Sequence, residues 1–124
     1  MAGGCMKSEV LKRAEEALEA LDVDNLIAAY ADDFLFEDTS LGERITSKTA
    51  LKEYFERLFT LPGVRFSDVK FFPCGEKAWG TWTWSGKSIK AGKDYSIQGA
   101  SLFVLGDDKI IEEKIFYDPR SAYE

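Results

Sequence analysis

Apolar positions recur at helical spacing through the first half of the chain. Val10, Leu11, Ala14, Leu18 and Leu21 fall on one helical face, behind Ser8, whose hydroxyl suits an N-cap. Asp22 is placed to cap a second, short helix with Leu26, Ile27 and Tyr30 on its inner side. Ser47 opens a third helix, in which Leu51, Tyr54, Phe55, Leu58 and Phe59 follow the i, i+3, i+4, i+7, i+8 pattern. Leu61-Pro62-Gly63 ends it. Elsewhere the period falls to two. Phe34–Asp38 reads as a strand that turns at Ser40-Leu41-Gly42 into a short partner near Arg44 and Ile45. Four longer strands are predicted at Val64–Phe72, Lys77–Gly86, Tyr95–Leu105 and Ile110–Asp118. Turn residues separate them at Pro73-Cys74-Gly75, Gly92-Lys93-Asp94 and Gly106-Asp107-Asp108. Short links between consecutive strands imply an antiparallel meander. Helices in one block and strands in another imply an α+β fold, with three N-terminal helices packed on one face of a curved, mainly antiparallel sheet.

Alternation assigns side chains to the two faces of that sheet. Trp82 and Trp84 share one face and Trp79 takes the other. The first two either pack as core against the helices or line a cavity with flat apolar walls. Tyr95, Ile97, Gly99, Ser101 and Phe103 share a face, and Ala100, Leu102 and Val104 lie opposite. Neither face of this strand is polar, so both sides of the sheet need cover. Helices cover one. Trp79, Ala100, Leu102, Val104, Ile111 and Ile115 are assigned to the other, where a second copy of the chain in a homodimer is the simplest cover.

Composition narrows the chemistry. The 124 residues are one domain's worth and carry 16 basic against 22 acidic side chains, a net charge of −6. That sign argues against nucleic acid and anionic membrane as partners. No apolar run approaches a membrane span. Ala2-Gly3-Gly4-Cys5 resembles a lipoprotein cleavage site, but no apolar stretch precedes it. Residues 1–7 therefore read as a frayed terminus, with Met6 an alternative start. The two cysteines, Cys5 and Cys74, are expected as reduced thiols in a cytoplasmic protein. Histidine is absent. This removes Ser-His-Asp and Cys-His nucleophilic chemistry and every histidine-ligated metal site, leaving Asp, Glu, Tyr, Lys or Cys as acid or base.

The order helix, helix, strand pair, helix, four-strand meander resembles the nuclear transport factor 2-like superfamily, over roughly residues 7 to 118. Tyr30-Ala31-Asp32-Asp33-Phe34-Leu35-Phe36-Glu37-Asp38 is similar to the helix-to-strand junction of ketosteroid isomerases and SnoaL-type polyketide cyclases. The stretch from Gly106 to Asp118 is similar to the last hairpin and strand of SnoaL-like proteins and limonene epoxide hydrolases. The resemblance implies a cone-shaped α+β barrel. It puts Asp38 at the general base of ketosteroid isomerase, whose oxyanion-hole Tyr and protonated Asp fall at Ala14 and Ser101 here. Steroid isomerisation is accordingly expected near background. Trp82 and Trp84 replace the Arg and Asp of the epoxide hydrolases, and Asp118 matches the Asp that serves SnoaL-type cyclases as acid or base.

Asp38 and Asp118 each leave an apolar strand, so each is either solvated or held at the mouth of a cavity. A shared apolar cavity would raise at least one pKa toward neutrality. Asp32 and Asp33 read as a solvated helix end, and Glu112 and Glu113 as surface charges paired with Lys109 or Lys114. Two functions fit. One is cofactor-free acid/base catalysis (cyclisation, isomerisation or dehydration) on a hydrophobic ring compound, with Asp38 or Asp118 as base. Tyr54 or Ser101 would orient an oxygen, and Tyr30, Phe55, Trp82, Trp84, Phe103 and Phe116 would complete the pocket. The other is a binding module using the same pocket without catalysis. Neither implies a metal or an organic cofactor.

Overall fold

The computed structural model describes residues 9–124; Cys5, the Ser8 cap and the segment 1–7 lie outside the described residues. Helix α1 spans Glu9–Ala20 and α2 spans Val23–Ile27, where the Asp22 side chain accepts from Asn25 N at 3.1 Å. Helix α3 spans Lys48–Phe59, capped by Ser47, whose hydroxyl accepts from Ala50 N at 3.2 Å. The strands are β1 (Tyr30–Asp38), β2 (Glu43–Ile45), β3 (Arg65–Cys74), β4 (Lys77–Lys87), β5 (Asp94–Gly106) and β6 (Lys109–Phe116). They form one sheet in the order β2-β1-β6-β5-β4-β3. Every pairing is antiparallel except β1 with β6. The expected α+β architecture and meander are present, but the sheet does not close into a barrel. β2 and β3 remain its two edges.

The edge at β3 is protected from α1. Glu15 Oε2 accepts from Phe71 N at 2.7 Å, and Glu19 Oε2 accepts from Val69 N at 3.2 Å, beside an irregularity in the β3–β4 register and a positive φ at Asp68. These bonds occupy donors that an open edge would offer to another chain. The β5–β6 turn has Asp107 and Asp108 both at positive φ, as a two-residue type I′ hairpin requires.

Three placements differ from the sequence reading. Tyr30 opens β1 and is not on α2, so Asp32 and Asp33 are exposed strand residues. A fourth helix, α4 (Arg120–Tyr123), follows β6; its Ala122 carbonyl accepts from Ile89 N at 3.0 Å. The third difference matters most. The β5–β6 register slips between Val104 and Leu105, so Ile110 and Glu112 lie opposite neighbouring β5 residues and Ile111 is the extra residue of a bulge. A bulge reverses the face of every residue beyond it. Ile115, assigned to the outer face, is buried inside; Phe116, assigned to the pocket, is exposed outside. Glu113, taken for a surface charge, is buried.

Candidate functional site

Between the helices and the inner sheet face lies a cavity of about 320 Å³. Its walls are about half aromatic, a composition common to sites for small organic molecules. Helix α1 brings Ala14 and Leu18, α3 brings Tyr54 and Phe55, and β4 brings Trp82 and Trp84. Ser101 and Phe103 enter from β5. The mouth is bounded by Leu41 and Glu43, by Arg57 at the end of α3, and by Tyr123 of α4. Arg57 and Glu43 form a loose, largely exposed ion pair at 3.7 Å.

Gly99 fixes the position of Trp82. A Cβ on Gly99 would stand 2.1 Å from the indole ring, so the ring lies flat against the β5 backbone. Trp82 Nε1 donates to Ser101 Oγ at 3.0 Å and holds that orientation. Gly99→Ala is expected to push the ring into the cavity and to cost roughly 1–3 kcal/mol of stability. Thermal unfolding together with tryptophan emission checks this; an unchanged emission spectrum and melting temperature would contradict the packing.

Two buried carboxyl groups serve this space. Asp38 has no exposed surface. Its Oδ2 accepts from Tyr54 at 2.7 Å and from Tyr117 at 2.6 Å, and its Oδ1 accepts from the backbone N–H of Ser40 and Leu41, each at 3.1 Å. Four donors converge on one carboxylate, so Asp38 meets the cavity only through the two tyrosines that line it. Thr39 Oγ1 donates to Ile115 O at 2.6 Å, and the Ser40 hydroxyl donates to Tyr117 O, which pins the end of β6 and turns the Tyr117 ring inward. Burial, reinforced by Asp38, raises the pKa of both phenols, so each keeps its proton.

Glu113 is the second carboxyl and lines the cavity directly. In the parallel β1–β6 register it stands opposite Phe36, and Ile115 stands opposite Asp38. The two acids therefore occupy one face, two residues apart along adjacent strands. Tyr30 donates its hydroxyl proton to Glu113 Oε1. Burial pushes the Glu113 carboxyl up to about 7, against the opposing pull of Tyr30 and Ser101. A carboxyl that exchanges its proton near neutrality, at an apolar wall, is suited to general acid or base work.

Of the residues singled out from sequence, Tyr54, Phe55, Trp82, Trp84, Ser101 and Phe103 line the cavity together. Tyr30 stands behind Glu113, and Asp38 behind Tyr54 and Tyr117. Phe116 and Asp118 are outside. Asp118 lies beyond the end of β6, on the surface. Arg120 holds it by its side chain, at 2.6 Å, and by its backbone N–H, at 3.1 Å. Those bonds hold the Asp118 carboxyl below the usual range, the reverse of the rise expected for a pocket acid. Glu113 and Tyr117 were missed. The signal available was the pair Ile110-Ile111, two adjacent apolar residues in an alternating strand, which is how a bulge reads.

A comparison with curated protein sequences finds no match. The fold is similar to that of several solved structures. One is a protein of ketosteroid isomerase-like fold from Catenulispora acidiphila DSM 44928, in complex with trimethylamine. It is 16% identical, with 94% of this chain and 91% of that one covered at a TM-score of 0.80. A candidate polyketide cyclase from Pseudomonas putida KT2440 is 18% identical, with 92% of each chain covered at a TM-score of 0.76. TerC, co-crystallised with polyporic acid, is 15% identical, with 90% of this chain and 91% of that one covered at a TM-score of 0.76. At these identities the likeness shows the fold alone. Residues 11–113 match the SnoaL-like domain, which is most of the chain, and the protein belongs to that family.

Proposed function

We propose that the cavity holds a hydrophobic ring compound and that Glu113 exchanges a proton with it. The protein on this reading is a cofactor-free acid/base enzyme of cyclase, isomerase or dehydratase type, working in the cytoplasm. The observation that carries the proposal is Glu113 itself, a buried carboxyl lifted to about 7 at the wall of an aromatic cavity. Asp38 positions Tyr54 and Tyr117 and does not touch the bound molecule. Trp82, Trp84 and Phe103 pack its rings. Relatives of this fold described with trimethylamine and with polyporic acid support a role in holding organic molecules. The alternative is a binding module that uses the same cavity without turnover. Titration with ring compounds is expected to quench tryptophan emission saturably in either case. Only the enzyme loses turnover, by roughly 10²–10⁴-fold, in Glu113→Gln. No saturable signal from a broad set of steroids, polyketides and terpenes would sink both.

The exposed outer sheet face supports proposing a homodimer. Trp79 and Leu102 are half exposed, at 51% and 50%, and Phe72, Ile111 and Phe116 are exposed on the same chain. Phe72 and Trp79 stack with centroids 4.6 Å apart. Lys77, Glu112 and Lys114 fringe the surface around Trp79 and Leu102 with both signs of charge, so a two-fold copy can set opposite charges against one another. A second copy is the proposed cover. Sedimentation at micromolar concentration is expected to give a dimer, and Trp79→Glu a monomer. A monomeric wild-type protein would refute it.

A further inference from the structure

We propose that the molecule held in the cavity carries a protonated nitrogen beside its rings, and that the ammonium group sits at Glu113 among the aromatic side chains. This rests on the reading of the cavity as a ligand site and adds the charge of the ligand.

Tyr54 and Tyr117 direct their protons at Asp38, away from any guest. Tyr30 directs its proton at Glu113, and the Trp82 N–H is taken by Ser101. The Trp84 N–H is engaged by the Tyr95 hydroxyl, which is not part of the cavity lining. Among the described residues, the one cationic side chain on the cavity wall is Arg57, which stands at the mouth, largely exposed, against Glu43. The interior thus presents phenol lone pairs, a carboxyl group and the faces of aromatic rings. All three attract positive charge and N–H donors.

Glu113 lies against Phe36 across the β1–β6 register and against Ser101, which in turn fixes Trp82. An ammonium at this point meets a carboxylate on one side and indole and phenyl faces on the other, and desolvation strengthens both contacts. A guest bearing a carboxylate or phenolate would find no cationic partner in the interior, since Arg57 stands at the mouth, and its charge is costly to bury unpaired. The proton balance is simple. A free amine entering the site takes the Glu113 proton, which leaves an ammonium–carboxylate pair. An ammonium entering instead pairs with Glu113 after its proton has left to water.

Calorimetry with three ring-matched probes tests this. They are N,N-dimethyl(naphthylmethyl)amine, its neutral isostere isobutylnaphthalene, and naphthylacetate, all substituted at the same ring position. The amine is expected to bind at least ~10-fold more tightly than the neutral isostere, and the acetate more weakly than either. Glu113→Gln is expected to erase most of that advantage, read as the ratio of amine to neutral-probe affinity in the same variant. Should the variant fail to fold, the wild-type order of the three probes decides alone. Equal or tighter binding of the neutral or anionic probe overturns the charge preference and leaves the cavity a ligand site. No binding by any of the three overturns both.

Discussion

Glu113→Gln is expected to stabilise the fold at neutral and alkaline pH while ending proton transfer. In the folded chain burial holds the Glu113 carboxyl near 7; in the unfolded chain it returns to about 4.5. Below 4.5 both states carry the proton, and Glu113 costs the fold nothing. Between 4.5 and 7 the unfolded chain ionises first and gains ground. Above 7 both are ionised, and the penalty levels off at roughly 3 kcal/mol, from the conversion of about 1.4 kcal/mol per pH unit. Glutamine has nearly the same shape, accepts from Tyr30 and never ionises. Wild type and variant should therefore unfold alike near pH 4 and separate by on the order of 10 °C by pH 8, with the variant higher. Other titrating groups cancel in the difference. Parallel curves at every pH would mean that Glu113 is ionised in the fold at an ordinary pKa.

The second large effect has the opposite sign. Asp38→Ala is expected to destabilise the protein by about 3–5 kcal/mol, because four donors converge on the lost carboxylate. The two phenols and two backbone N–H groups would face an apolar void. Asp38→Asn keeps an acceptor for the β1–β2 turn and an amide near the tyrosines, so a milder loss is expected. Tyr117→Phe removes one donor and should cost only about 1 kcal/mol. Denaturant unfolding of the three variants orders them. If Asp38→Ala keeps wild-type stability, the carboxylate is not the anchor of this corner, and a role as a free base returns.

Most of the architecture was legible because local rules agreed with the final packing. Ser47 and the apolar stripe from Leu51 to Phe59 specify α3, and the turn residues mark the meander. Trp82 and Trp84 fall on the cavity face because β4 alternates without interruption from Lys77 to Ser85. The chemistry was less legible. A single extra residue at Ile111 reverses the second half of β6, which carries Glu113 inward and Phe116 outward. No propensity of Glu113 announces this. Its burial follows from the pairing of β6 with both β1 and β5, a tertiary fact. Asp118 misled for a related reason. The strand ends at Phe116, and the two residues beyond it already belong to the turn into α4, where Arg120 is the nearer partner. The family resemblance pointed to carboxylates near the ends of β1 and β6, but the neighbouring side chains decide which of them faces the cavity.

The most direct test of this account is the titration of Glu113 itself. Infrared difference spectra between wild type and Glu113→Gln, recorded across pH, isolate its carboxyl band. The account predicts a midpoint near 7 that moves when an amine probe saturates the cavity. A midpoint in the ordinary glutamate range near ~4.3, unmoved by any cavity ligand, would contradict it.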